Sequence, residues 1–487
     1  MKKQTILLSF VLILFCCINM NGASTHKTPV IYSTDLFQPP EDPDDHYDLA
    51  MLMALDELDL KAIVFDLSTA RRTTDEIGIN ALRQIEAIAG KPMPEWALGL
   101  RDPMRALDDR ATNQPQEFQQ GVELIIRTLR ESEEKVVLFL VGSCRDFAVA
   151  YNREPELLKE KVKAVYVNAG NGPDGIQFEW NVMLDPYSYN CLMKSGLPIY
   201  WAPCFSHVNL RPATPDDVIA GNAFAYSTYY IVSNQAELMK NASSQLKNFF
   251  VYALHKSTEE PLPFLSQTAL SIPATPRNMW CTGPFLHAAG REIYQHGDQY
   301  IACSPEKAKE LGISDKLIHV YDFEAINIEQ TDSAYAFPDY SSCFFMGCMF
   351  DKVGKEGLSP DGLPDCHIRI TGITPGNSIR EISITNEYGD KWQSPLASTS
   401  FAINYDVQGE QVECYFSPVK DGKHTFLIRY DDRSEKTYTC NIYKEPVGPV
   451  YKSQLNEPES NTKLFKYIHP EYNAIMVSVL SNLLKEL

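Results

Sequence analysis

Between Pro29 and Phe205 the chain alternates short apolar runs with segments of helical periodicity. The runs are rich in β-branched residues and have no polar face, which is typical of strands that are covered on both sides. The helical segments, such as 75–89 and 118–130, supply the covering layers. This alternation predicts an α/β domain with a mostly parallel sheet flanked by helices. The predicted strands are residues 30–34, 61–65, 136–141, 163–167 and 198–202.

A different pattern follows this domain, which we place at 28–350. From 360 to 446 apolar and polar residues alternate in short segments separated by turn signals such as Asp421-Gly422. This alternation predicts a small antiparallel β-sandwich. Residues 447–487 are expected to be a linker followed by a helix, because apolar residues between 475 and 487 form one helical stripe. We expect that helix to pack on the α/β domain.

The first residues have the layout of a secretory signal peptide: two lysines, an apolar run and then small residues. We place this segment at 1–23 and expect a secreted or periplasmic protein. A lipid anchor through Cys16 or Cys17 ranks second, because the bulky Phe15 stands where a lipoprotein would carry a small residue. No later segment is apolar enough to predict a transmembrane helix.

Charge and cysteine usage restrict the partners. The formal net charge of −19 argues against nucleic acid and against an anionic membrane surface, since both would be repelled. The 12 cysteines include no C-x-x-C pair, which argues against a zinc site. A neutral or cationic small molecule is therefore the expected ligand. The sequence does not exclude a homo-oligomer.

Carboxylates crowd around the end of the first predicted strand. Asp35 follows that strand directly, and Asp44 and Asp45 begin the next helical segment. In a parallel sheet these positions converge on one edge, and such a concentration of charge requires protonation, basic partners or a cation. No Lys or Arg lies between Asp35 and Asp48, and ligands that are all oxygen favour calcium over zinc. The simpler alternative is an acidic loop that only caps the helix.

The acidic stretch resembles the amino-terminal aspartate motif of the calcium-dependent nucleoside hydrolases, the inosine-uridine-preferring family. Two later segments are similar to family segments in the same order. The first, VVLFLVGSC at 136–144, begins a strand, turn, helix and strand that end in NAGN at 168–171. The second is FEWNVMLDP at 178–186. The resemblance covers roughly residues 29–330 and implies the Rossmann-like nucleoside hydrolase fold.

The resemblance also implies roles for individual residues. Calcium would be bound by the carboxylates of Asp35 and Asp45 and by the main-chain carbonyl of Val141, with Asp44 as the general base. Glu179 and Asn181 would hydrogen-bond the sugar hydroxyls.

Further substrate contacts are expected at Asn171, Trp280 and His287. Asn171 is a looser match to the family because the loop spacing differs. Trp280 could belong to an aromatic wall with Trp180 and Trp201, and these residues are otherwise core. His287 and His46 are candidates for the acid that protonates the leaving group, although a single histidine is more often structural.

The chain departs from the family pattern at one metal ligand. The family has His-Asp-Pro near the end of the domain, and the counterpart here is Thr282-Gly283-Pro284. We therefore expect one carboxylate to be missing. Glu41, Asp42 and Asp48 are candidates to replace it, because calcium accepts variable oxygen geometry.

Two classes of function follow. The first is a secreted hydrolase that cleaves a ribosyl–base bond with a calcium-bound water activated by an Asp base. Nearby carboxylates would stabilise the oxocarbenium-like charge of that reaction. The alternative is a protein of the same fold that binds a sugar or nucleoside without catalysis, or that acts on another glycoside.

Overall fold

The computed structural model describes most of the chain from residue 27 onward. The predicted signal peptide, Glu41 and Asp42 lie outside the described residues. The described residues are 27–36, 43–67, 76–172, 175–176, 179–206, 226–268, 270–332, 343–347, 366–371, 373–374, 376–395, 397, 400–416, 422–442, 450–455 and 459–487.

Ten strands form one large sheet, in the order β3-β2-β1-β4-β5-β8-β25-β14-β24-β7. The neighbours from β3 to β25 are parallel, and the last three pairs are antiparallel. In chain order the strands are β1 Thr28–Thr34, β2 Leu58–Phe65, β3 Glu95–Leu98, β4 Val136–Leu140, β5 Val162–Val167, β6 Asn171–Gly172, β7 Gly175–Ile176, β8 Ile199–Trp201, β9 Phe205–Ser206, β10 Tyr230–Val232, β11 Arg277–Met279, β12 Glu292–His296, β13 Gln299–Cys303, β14 Tyr321–Asp332, β15 Cys343–Gly347, β16 Cys366–Thr371, β17 Ile379–Asn386, β18 Lys391–Ser394, β19 Phe401–Ala402, β20 Asn404–Gln408, β21 Gln411–Phe416, β22 Gly422–Tyr430, β23 Glu435–Ile442, β24 Val450–Leu455 and β25 Thr462–Tyr467.

The sheet separates two hydrophobic cores. Val30 and Tyr32 of β1 point into one core, and Ile31 between them points into the other. This is the period-2 arrangement of a strand with two buried faces, and it explains the continuous apolar runs in the sequence. The predicted α/β fold class is therefore confirmed.

Helices cover both faces of the large sheet. None of the helices in the described residues is long and apolar enough to cross a membrane. The helices are Asp44–Ala54, Glu76–Ala89, Gln120–Glu131, Arg145–Arg153, Pro155–Lys161, Trp180–Leu184, Pro186–Met193, Gln235–Leu238, Ser244–Leu254, Pro261–Leu265, Thr282–Ala289, Pro305–Glu310 and Tyr472–Leu483, with short 3-10 helices at Gln116–Phe118 and Ser314–Lys316.

The second region contains two small sheets, in the orders β15-β16-β21-β20 and β19-β18-β17-β22-β23. All but one of their strand pairs are antiparallel. Side chains from both sheets, including Cys414 and Trp392, share one core. This arrangement confirms the predicted β-sandwich.

The end of the chain differs from the prediction of a linker. Strands β24 and β25 both join the large sheet, where β25 lies between β8 and β14. Their sequences contain three Lys and other polar residues and gave little signal of a buried strand. The helix Tyr472–Leu483 follows and packs Ile475 and Leu480 into the first core of the α/β domain.

The β-sandwich is an insertion in the large sheet. Strands β14 and β24 are antiparallel neighbours, and Asp332 at the end of β14 lies opposite Val450 at the start of β24. The segment 333–449 therefore leaves and re-enters the sheet at the same point. The chain completes the α/β domain only after this insertion.

Candidate active site

The candidate site lies at the carboxyl edge of the large sheet. Asp35, Val141 and Asn168 directly follow β1, β4 and β5, which are adjacent and parallel. Parallel strands place their carboxyl ends at the same edge, where ligands bind in open α/β sheets. The order of the strands thus brings together residues that are more than 100 positions apart.

Asp35 and Asp45 form the centre of an acidic group. Their carboxyl groups lie within hydrogen-bonding reach of each other, and Asp45 also accepts a bond from the Thr34 hydroxyl (2.6 Å). Burial, and then the charge of Asp45, hold the pKa of Asp35 well above its usual range, and Asp44 raises it further. Asp44 and Asp45 occupy the first turn of helix Asp44–Ala54, whose positive end favours negative charge.

Asp48 lies one turn farther along the same helix and is buried. Its carboxyl group contacts the thiol of Cys281, and its Oδ1 atom has no hydrogen-bond partner. Burial and the charge of Asp45 raise the pKa of Asp48 well above its usual value. The acidic group therefore extends from the end of β1 toward the helix Thr282–Ala289.

Glu179 and Asn181 are brought to this edge by a network of hydrogen bonds. The two oxygens of Glu179 accept the N–H groups of Gly170 (2.8 Å) and Asn181 (2.9 Å). The side-chain amide of Asn181 donates to the main-chain oxygens of Val141 (3.1 Å) and Asn168 (3.0 Å). Burial raises the pKa of Glu179 to about 7, against the opposing effect of the N–H donors.

Asn168 and two thiols complete the network, and our sequence analysis did not identify them. The Asn168 amide donates to the Ala202 carbonyl (2.7 Å), and its oxygen is 3.1 Å from the sulfur of Cys281. The thiol of Cys204 contacts Glu179. Burial holds the pKa of both thiols well above the usual value, so they remain neutral donors. For Asn168 a signal existed: a polar residue directly after a buried strand, as at Asp35.

The turn after β4 holds the edge together through Arg145. This guanidinium is fully buried and bonds Asp185 (3.1 Å) and the carbonyls of Leu67 (2.6 Å) and Leu184 (2.9 Å). Ser143, two residues earlier, donates to Asp66 through both its N–H and its hydroxyl. Sequence reasoning missed Arg145, because its acceptors come from three separate loops.

Trp280 lies beside the network. It is half-buried, donates from its indole nitrogen to the Cys204 carbonyl (3.0 Å), and packs against Phe205 and Tyr229 with ring centroids 5.9 and 5.6 Å away. Trp201 is different, because it is fully buried and bonded to the Ala169 carbonyl, which makes it a core residue.

The backbone of Asn171 is in β6, which pairs with Phe205–Ser206. The side chains of Asn171 and Trp180 lie outside the part of the chain that the structure describes.

The two candidate histidines are placed elsewhere. His287 is six residues beyond Cys281, about 9 Å along the helix axis, and its Nδ1 atom is 2.6 Å from the Tyr166 hydroxyl. Burial, followed by the charge of Lys463, lowers the pKa of His287 to about 4. His46 is buried against Phe249, and burial lowers its pKa to about 3. Both rings are therefore neutral at physiological pH.

Gly283 stands where the resemblance leads us to expect the missing carboxylate, and a Cβ added there would lie 2.9 Å from the ring of Phe465. Thr282 stands at the histidine position, and its buried hydroxyl is 2.6 Å from the hydroxyl of Tyr230. The expected carboxylate ligand is therefore absent at Gly283.

The acidic group has the chemistry of a site for a hard cation. Its donors are oxygens, and a cation would relieve the repulsion between two adjacent carboxylates. Among the described residues no three Asp, Glu, His or Cys side chains are placed to hold a metal ion. The residues therefore fit a cation bound by Asp35 and Asp45 with neutral oxygens, rather than by three carboxylates. The Val141 carbonyl is such an oxygen, since it has a second lone pair beside the bond from Asn181.

Comparisons with known proteins relate part of the α/β domain to one family. Residues 30–265 match the sequence model of the family described as inosine-uridine preferring nucleoside hydrolase. The chain is similar to the pyrimidine-specific ribonucleoside hydrolases RihA of Citrobacter koseri (28% identical over 176 residues) and of an Enterobacter species (30% identical over 177 residues). Each match covers 33% of this chain and 56% of the relative, so the chain spans about half the length of these proteins. The α/β segment is therefore similar to the inosine-uridine preferring nucleoside hydrolases.

Two solved structures are also similar to this chain. The inosine-uridine preferring nucleoside hydrolase from Bacillus anthracis is 18% identical, with a TM-score of 0.31, over 52% of this chain and 90% of that one. A nucleoside hydrolase-related protein from Saccharophagus degradans is 14% identical, with a TM-score of 0.32, over 87% and 99%. At scores this low neither superposition contributes to the family assignment.

Proposed function

We propose that the protein hydrolyses the N-glycosidic bond of a nucleoside or a related ribosyl compound. The observation that carries this proposal is the paired Asp35 and Asp45 at the carboxyl edge of a sheet whose segment 30–265 matches the nucleoside hydrolase family. Two relatives are named pyrimidine-specific ribonucleoside hydrolases, which makes uridine and cytidine the first substrates to test.

In this proposal Asp44 is the general base. It lies in the first turn of helix Asp44–Ala54, next to Asp45 and close enough to raise the pKa of Asp35. Asp44 would take the proton of the attacking water, while the carboxylates around it stabilise the positive charge that develops on the ribose. A bound calcium ion, held by Asp35, Asp45 and the Val141 carbonyl, would supply Lewis-acid polarisation and orient the ribose diol.

Glu179 and Asn181 are proposed to bind the ribose hydroxyls. The N–H groups of Gly170 and Asn181 fix the Glu179 carboxyl, and a carboxylate oxygen that accepts one such bond can accept another from a hydroxyl. The half-buried Trp280 is positioned to form an apolar wall for the base. The role of His287 as a substrate contact stays a prediction, and the contact that the structure gives its Nδ1 atom is with the Tyr166 hydroxyl.

The place of action is proposed from the amino-terminal sequence. Residues 1–23 have the pattern of a secretory signal peptide, so the mature chain would work in the periplasm or outside the cell. Extracellular calcium-binding modules have dissociation constants of about 10⁻⁴ to 10⁻³ M.

A second candidate is a binding protein that uses the same pocket without turnover. Gly283 favours it, because a residue without a side chain stands where the family is expected to carry a carboxylate. Such a protein would retain the ribose contacts while losing the ability to activate water.

The deciding experiment measures base release from a panel of nucleosides by the mature chain, with calcium binding followed by calorimetry. We expect turnover that depends on calcium. Asp44→Asn should reduce kcat by 10² to 10⁴ and leave calcium binding intact, whereas Asp45→Ala should abolish both. The exposed Asp298→Asn is the matched control and should change neither. Calcium and nucleoside binding without base release would favour the binding protein.

A further inference from the structure

Between β5 and helix Trp180–Leu184 lies a loop of which the structure describes residues 170–172, 175–176 and 179. Its neck is closed by the bond from the Gly170 N–H to Glu179 (2.8 Å). Between these residues lie two short strands. Strand β6 pairs with β9, and strand β7 pairs with β24.

The partner of β7 comes from a distant part of the chain. Val450 lies opposite Ile176 and Tyr451 lies opposite Gly175. These are the first two residues after the inserted segment 333–449, and the same strand is fixed on its other side by pairing with β14 along its length. The chain that returns from the β-sandwich is therefore hydrogen-bonded to the loop at the candidate site.

The distance from this pairing to the site is short. Glu179 follows Ile176 by three residues, so at most about 11 Å of chain separates the two. A strand of two residues contributes little stability alone, so the order of Gly175 and Ile176 is expected to depend on the longer β24 beside them. Without that partner, the loop would have to be ordered by the substrate on binding, at a cost in conformational entropy.

We propose that β24 is a positioning element of the site: its pairing with β7 holds the loop that carries Asn171 and Glu179 in its substrate-binding form. The nature of the substrate rests on the function proposed above. Because Asp44 belongs to another element, this pairing governs substrate binding and leaves the chemical step unchanged. The β-sandwich is thereby joined to the site by covalent continuity with β24.

Two proline variants test the proposal and serve as controls for each other. Successive residues of a strand direct their N–H groups to opposite sides, so only one of Gly175→Pro and Ile176→Pro removes a hydrogen bond to β24. That variant should raise KM for the nucleoside tenfold or more, with kcat within twofold of the native value. It should also accelerate amide exchange across residues 170–179 at least tenfold. The other proline variant, and Gly175→Ala, should resemble the native chain.

Equal behaviour of the two proline variants, whether native-like or impaired, would overturn the proposal. Amide exchange needs no substrate, so it decides whether β24 fixes the loop even if the native chain hydrolyses no nucleoside. If the native chain hydrolyses no nucleoside, the proposed function fails, but the exchange result still shows whether β24 orders the loop.

Discussion

At the scale of single residues, three further buried carboxylates lie near Arg145: those of Asp66, Asp146 and Asp185. Asp66 and Asp185 are buried near Arg145, which opposes the rise of their pKa values caused by burial. Asp146 is less well compensated: its Oδ1 accepts the Leu100 N–H (2.9 Å), but its Oδ2 has no hydrogen-bond partner. Burial, followed by the charge of Asp66, raises the pKa of Asp146 to about 7.

Asp146 should make the protein less stable as the pH rises. Its folded pKa is above the unfolded value of about 4, so between pH 4 and 7 the folded chain binds more protons, and stability falls across that window. Asp146→Asn should flatten this dependence and recover on the order of a few kcal/mol at pH 8. Urea unfolding at pH 5 and pH 8 measures both effects. An unchanged slope in the variant would contradict the assignment.

Thr34 is predicted to tune the cation site through Asp45. Its hydroxyl donates to Asp45 Oδ2 (2.6 Å) and accepts the Leu36 N–H (3.0 Å). Thr34→Val keeps the shape but removes the donor, and hydrogen bonds to charged groups contribute about 1.5–3 kcal/mol. We expect calcium to bind about tenfold more weakly in calorimetry, while Thr34→Ser stays close to native. Equal affinities of the Val and Ser variants would show that the bond has no role.

At the scale of elements, the turn after β4 organises the edge of the sheet. The backbone of Gly142 lies so close to Asp66 that a Cβ added at Gly142 would be 2.6 Å from the Oδ2 atom of Asp66. The adjacent Ser143 and Arg145 then bond to neighbouring loops, as described above. The residues of this turn therefore end β4 and also hold the neighbouring loops by hydrogen bonds.

Arg145→Met is expected to destabilise the fold strongly. The change leaves Asp185 without its buried cation, and breaking a buried pair typically costs about 3–5 kcal/mol. Arg145→Lys should also be impaired, because one ammonium cannot reach acceptors on three loops. The double variant Arg145→Met with Asp185→Asn should recover part of the loss, measured as the midpoint of denaturant unfolding. A double variant no more stable than the single one would argue against the pair as the cause.

At the scale of the whole molecule, the β-sandwich should be removable. Because Asp332 and Val450 are opposite each other, the segment 333–449 can be replaced by an Asn-Gly turn that closes a β14–β24 hairpin. We expect the shortened chain to remain folded, with its Tm within about 5 °C of the corresponding native transition. Calorimetry and circular dichroism test this. Loss of cooperative unfolding would mean that the α/β domain requires the insertion.

The sequence predicted five of the ten strands of the large sheet, because those five carry their own local signal. The run at 136–141 is apolar throughout, and the structure has β4 at Val136–Leu140. The sequence did not predict the strands within 447–487, because β24 and β25 are partly polar and acquire partners only in the folded chain. Their place in the sheet depends on pairing with β14 and β8, which no local pattern reveals.

By itself the sequence determined the fold class and the crowding of Asp35, Asp44 and Asp45, because strand periodicity and the position of a carboxylate after a strand are local properties of the chain. The site roles assigned from resemblance stay predictions. Only the tertiary structure decided that Arg145 is buried among three loops, that Asn168 and Cys281 join the network, and that β24 pairs with the loop before Glu179. The physical reason is that hydrogen bonds and charge interactions depend on distances in space, and those distances are set by the order of strands in the sheet.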